Sequence, residues 1–135
     1  MSAEGSGTLR IAAVQMNSKN DKDQNIATAL RLIDRAAAEG ARLIALPEVW
    51  SFLGDDEGSQ AAAETIPGPI TDLLAERARR HDVYIHGGSF QERRAGDPRL
   101  YNTTVLIDPR GEIIAKYSKI HMFDVVLDGV ASYQE

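Results

Sequence analysis

Arg42-Leu43-Ile44-Ala45-Leu46-Pro47-Glu48 is the stretch on which the fold turns. From Leu43 to Leu46 every residue is apolar, which is the pattern of a buried strand without a solvent face. Pro47 ends that strand because proline brings no amide hydrogen to a ladder. Glu48 then lies just past the strand's carboxyl end, the edge at which open α/β sheets bind ligands.

Upstream, Ile26, Ala29, Leu30, Ile33, Ala36 and Ala37 recur at helical spacing and predict a helix over 22–39. Asp21 and Gln24 resemble a capping box, and Gly40 stands where a left-handed C-terminal cap is needed. Before it, Leu9-Arg10-Ile11-Ala12-Ala13-Val14-Gln15-Met16 predicts another strand covered on both faces. Strand, helix, strand makes a right-handed crossover and a parallel pair. Residues 1–8 are small and polar and are expected to be a disordered lead-in, leaving 9–135 as one folded unit.

Downstream, 51–65 is acidic and small, and is expected to be a surface loop that includes a helical turn. Ile70, Leu73, Leu74 and Ala78 then predict a second amphipathic helix ending near Arg80, with His81 as a C-terminal cap contact and Val83-Tyr84-Ile85-His86 as the next strand. Residues 91–99 are expected to be an exposed connection. The β-rich runs 101–107 and 113–117 flank Asp108-Pro109-Arg110-Gly111, whose Pro second and Gly fourth suit a type I turn and predict a hairpin.

The 135 residues are 43% hydrophobic and 26% charged, a globular composition, and the net charge of -5 argues against nucleic-acid binding, which needs a basic face. No apolar run approaches the roughly 18–20 residues that span a bilayer, and no signal pattern is evident, so a cytoplasmic protein without membrane contact is expected. The sequence contains no cysteine, which excludes disulfides, thiolate metal sites and any cysteine nucleophile encoded within it. Neither a G-x-G-x-x-G nor a P-loop pattern occurs to support a nucleotide binder.

Two stretches could carry chemistry: Glu48 with Trp50 nearby, and Lys116-Tyr117-Ser118-Lys119-Ile120-His121-Met122-Phe123-Asp124 at a strand end. A buried carboxylate needs a compensating cation or hydrogen-bond donors, so a buried Glu48 would need a partner such as Lys119. His86 reads as a core or pocket-wall residue, and the histidines lack a metal-ligand spacing. His121 is read as bonding near the site or simply packing. Asn102-Thr103-Thr104 is read as a chance match to a glycosylation sequon.

Ile11-Ala12-Ala13-Val14-Gln15-Met16, Leu46-Pro47-Glu48, Gly87-Gly88-Ser89, Tyr101-Asn102-Thr103 and Tyr117-Ser118-Lys119-Ile120-His121-Met122-Phe123-Asp124, in that order, resemble the nitrilase superfamily of carbon-nitrogen hydrolases. The resemblance implies an α/β fold, half of a four-layer α-β-β-α sandwich with a parallel βαβ start followed by a β-hairpin. It implies Glu48 as general base, Lys119 as the cation that stabilises an oxyanion, and Glu135 as a second active-site glutamate. It implies no cofactor and no metal. The family's nucleophilic cysteine lies downstream of the second glutamate, and none of Ser89, Ser118 or Ser132 sits in a nucleophile elbow that could replace it.

The expectation is therefore the N-terminal portion of a small-molecule amidase of the Nit or omega-amidase branch, inactive alone because loss of a nucleophile costs on the order of 10⁶ in rate. Its expected partners are a small amide substrate, once completed, and either further copies of itself or a complementary C-terminal fragment. The rival expectation is a non-catalytic, engineered or evolved half-domain that self-associates. The arginines that would hold a substrate carboxylate are not readable from sequence.

Overall fold

The structure, a computed structural model, describes residues 7–122 and the backbone of 125–127 and 131–133. Among the described residues, eight strands and three helices follow in the order β1 (Ile11–Ala13), α1 (Lys22–Ala38), β2 (Leu43–Ala45), α2 (Asp56–Ala62), α3 (Pro69–His81), β3 (Tyr84–His86), β4 (Phe90–Arg93), β5 (Leu100–Ile107), β6 (Ile113–Ser118), β7 (Val125–Leu127) and β8 (Ala131–Tyr133). A six-stranded sheet runs β1-β2-β3-β5-β4 with β6 on β5, while β7 and β8 pair separately. Pairing is parallel from β1 to β3 and antiparallel beyond, so a mixed sheet begins with the expected βαβ unit.

Local chemistry sets the ends of these elements. The Asp21 side chain accepts the Gln24 amide at 3.0 Å and caps α1. Gly40, at φ +89, closes the same helix: its amide bonds Ala37 and the Ala41 amide bonds Ala36, the paired bonds of a Schellman ending. The β5–β6 turn closes through the Gly111 amide to the Asp108 carbonyl at 2.8 Å.

Register explains the layers. Ala12, Ile44, Ile85 and Ile107 lie in one row across β1, β2, β3 and β5, and the last three are fully buried. Ile33 and Ala29 of α1 and Leu74 and Ala78 of α3 complete that core. Each fully buried Ile or Leu among these contributes roughly 1.5–3 kcal/mol, and each alanine methyl less than about 1 kcal/mol. The neighbouring rows point away from the helices. Ile11 is 64% exposed and Tyr84 44%.

β1 is therefore not covered on both faces. Helices α1 and α3 cover one, and among the described residues nothing covers the other. The stretch 91–99 also differs from expectation, because Phe90–Arg93 is a strand whose alternate residues Phe90 and Glu92 are 1% and 2% exposed. A buried glutamate broke the apolar pattern there. His81 does not cap its own helix: its Nε2 meets Asp34 of α1 at 2.8 Å, and Asp82, at φ 54, ends α3.

Candidate active site at the strand ends

β3 and β4 run along the same edge of β5, interrupted at Gly87-Gly88-Ser89. The exit of β2 docks into that interruption. The Leu46 amide bonds the His86 carbonyl at 3.0 Å, the Ser89 amide bonds Pro47 at 3.0 Å, and the Trp50 amide bonds Ser89 at 3.2 Å. The indole of Trp50, 1% exposed, donates to the Gly87 carbonyl at 2.8 Å and packs edge-on to Phe90. Glu48 is thus carried on a short segment tied down at both ends.

From there the Glu48 carboxylate meets side chains from β5 and from just past β6. Its Oε1 lies 3.2 Å from the Lys119 ammonium, and the Asn102 amide donates to it at 3.3 Å. The Lys119 amide hydrogen bonds the Asn102 carbonyl at 2.9 Å, which fixes the lysine backbone beside the same strand. With side-chain exposures of 64% for Glu48 and 31% for Lys119, the pair faces solvent in this chain. A carboxylate beside an ammonium at that separation can take up a proton while the ammonium favours developing negative charge.

The pair borders a cavity of about 240 Å³ whose wall includes His86, Thr104 and Tyr117, side chains of the helix-free sheet face. His86 is a pocket-wall residue, with its Nε2 3.3 Å from the Thr104 hydroxyl. A second cavity, of about 630 Å³, shares Asn102 and Lys119 with the first and adds Gln91, Arg99 and Tyr101. Its rim is fixed electrostatically: the Arg99 guanidinium and the Tyr101 hydroxyl hold the Asp97 carboxyl well below the usual carboxylate range.

Behind the site, on the helix side of the sheet, lies Glu92. Burial pushes its carboxyl up, but hydrogen bonds from Arg94, Lys116 and Thr103 outweigh that and hold it below its ordinary value. Arg94 also reaches Ser118, the residue before Lys119, so the network ties β4, β5 and the end of β6 together.

Of the residues singled out in the sequence, the structure brings Glu48 and Lys119 together, and Glu135 lies outside the described residues. His121 is exposed. Sequence reasoning missed Asn102 as a Glu48 contact and Glu92 as the buried anchor. A signal for Asn102 existed in its place on a predicted strand within a motif, but its partner is 54 residues away.

The sequence profile of carbon-nitrogen hydrolases matches residues 10–135. The omega-amidase NIT2 of Homo sapiens is 37% identical over 128 residues, covering 95% of this chain and 46% of that protein. The chloroplastic omega-amidase of Arabidopsis thaliana is 38% identical over 132 residues, covering 94% and 35%. The chain thus spans about half the length, or less, of the curated relatives it matches. Among solved structures, the C. elegans NitFhit protein superposes with a TM-score of 0.82 at 29% identity, over 93% of this chain and 31% of that one. Saccharomyces cerevisiae Nit3, a member of branch 10 of the nitrilase superfamily, gives 0.76 at 25% identity, over 84% and 45%.

Proposed function

Because this chain belongs to the carbon-nitrogen hydrolase family, we propose that it supplies the general base and the oxyanion cation of an amidase whose cysteine nucleophile is encoded outside these 135 residues. Glu48 takes the proton of that thiol, and the thiolate sulfur adds to the amide carbonyl. Lys119 favours the negative charge that develops on the carbonyl oxygen. The C-N bond then breaks as protonated Glu48 gives its proton to the leaving nitrogen, releasing ammonia, and water that loses a proton to Glu48 attacks the resulting thioester, expelling the thiolate, which regains that proton to leave the acid and the free thiol. Glu135 is the further acid of this proposal.

The observation that carries the reading is the 3.2 Å approach of Glu48 and Lys119 at the mouth of a strand-end cavity. The finer substrate proposal is a monoamide of a dicarboxylic acid. The omega-amidase names of the relatives favour it, as does Arg99, the one arginine among the described residues lining either cavity. The uncovered sheet face, with Ile11 and Tyr84, is where a complementary C-terminal half or a second copy packs in this proposal. A cytoplasmic location accompanies it.

The test joins this chain to the part of the human relative that it does not match and measures ammonia release from succinamate. The chain alone is expected to release none, and the chimera is expected to lose activity by orders of magnitude with Glu48→Gln and with Lys119→Met. Turnover by the chain alone, or a folded, active chimera indifferent to both substitutions, would overturn the assignment. A tight homo-oligomer of the chain, alongside a folded chimera that stays silent, would favour the self-associating half-domain.

A further inference from the structure

The backbone that presents Glu48 holds its next residue where that residue does not settle unaided. Val49 has φ 47, in the left-handed region, which side chains branched at Cβ disfavour most. Such a conformation persists only where its surroundings over-determine it. Four of the ties that dock this segment are indifferent to the side chain at position 89, namely Leu46 amide to His86, Ser89 amide to Pro47, Trp50 amide to Ser89 carbonyl, and Trp50 indole to Gly87. The fifth is not. The Val49 amide donates to the Ser89 hydroxyl at 3.0 Å.

The close approach that makes this bond possible is itself specified. Gly88 has φ +60, and a Cβ there would stand 2.1 Å from the Pro47 carbonyl oxygen. Only glycine lets the two segments come within reach. The Ser89 bond then fixes the Glu48–Val49 peptide plane, and with it the direction from which the Glu48 side chain leaves toward Asn102 and Lys119. Without an acceptor, the Val49 amide has no reason to stay where it is, and relaxation to negative φ would rotate that peptide.

We propose that Ser89 is a positioning residue for Glu48: by accepting the Val49 amide hydrogen it holds Val49 in the left-handed conformation that aims the Glu48 carboxylate at Lys119. The geometric part stands on the contacts alone. Its consequence for catalysis rests on the reading of Glu48 as general base.

The experiment compares the 135-residue chain with Ser89→Ala and with Ser89→Ala combined with Val49→Gly. Nuclear magnetic resonance reads the amide-to-α-proton coupling at position 49 and the displacement of the Glu48 carboxyl carbon signal caused by Lys119→Met. The Trp50 indole signal, unique because the sequence has one tryptophan, reports whether the segment is folded. In Ser89→Ala, Val49 should leave the left-handed region and the Lys119-dependent displacement should fall to less than half. Adding Val49→Gly should restore it, because glycine takes positive φ without assistance.

A side chain that merely stabilises the loop would not be rescued this way. An unchanged Val49 coupling and Glu48 signal in folded Ser89→Ala would overturn the proposal, as would a folded double variant without restoration. If Ser89→Ala alone does not fold, a folded double variant with the native Glu48 signal supports the proposal, and a double variant that also fails to fold overturns it. In the chimera, the same substitutions should lower kcat by roughly 10- to 100-fold and then recover it. If turnover there ignores Glu48→Gln, the general-base reading fails while the resonance result still decides the role of Ser89.

Discussion

Replacing Glu92 by glutamine removes one buried negative charge from β4, the end strand of the sheet order, with almost no change in side-chain volume. The carboxylate is 3% exposed, while its cationic partners Arg94 and Lys116 are 38% and 36% exposed. Oε2 accepts from the Thr103 hydroxyl at 2.8 Å and from Arg94 at 2.8 and 3.1 Å, and Lys116 bonds Oε1. Breaking a fully buried pair costs about 3–5 kcal/mol. Because water can reach both cations, that figure is reduced to about 2–3 kcal/mol for Glu92→Gln. For a chain of this size the loss corresponds to roughly 10 °C in Tm.

The pH dependence follows from the depressed carboxyl. The folded state holds Glu92 below its ordinary value of 4.5, so the unfolded chain binds more protons as acid is added. The contribution is complete above about pH 4.5 and is lost as pH falls toward and through the folded value. Urea unfolding followed by Trp50 fluorescence should therefore show the widest gap between wild type and Glu92→Gln at neutral pH, narrowing steadily below about pH 4.5. A gap that stays constant over this range, or one under about 0.5 kcal/mol at neutral pH, would refute the ledger of contacts on which the estimate rests.

Gly88→Ala should cost at least about 2 kcal/mol in urea unfolding, because it combines positive φ with a contact to the Pro47 carbonyl that backbone must move to relieve; the Trp50 indole resonance should shift with it. Ile44→Ala, in the fully buried central row, should cost about 2–5 kcal/mol by the same assay, and a loss under about 1 kcal/mol would mean that the helix face of the sheet is not the core.

Much of the fold was readable because its signals are local. The cap at Asp21, the Gly40 ending, the stop at Pro47 and the turn at 108–111 each depend on residues within a few positions of one another, and the structure shows each where the chemistry puts it. The stretch 90–93 was not readable for the complementary reason. Glu92 looks like a loop residue until Arg94, Lys116 and Thr103 gather around it, and two of those three lie in other strands.

From the amino-acid order alone came the βαβ start, the hairpin, and Glu48 and Lys119 as the acid and the cation of interest, since periodicity, turn residues and motif order are properties of short stretches. Only the tertiary structure decided that Asn102 joins them, that the Ser89 hydroxyl accepts the Val49 amide, and that among the described residues one sheet face stays uncovered. Those outcomes depend on which distant strands become neighbours. Strand pairing is non-local, and residues far apart in the chain carry no mark of the partner that packing will bring them.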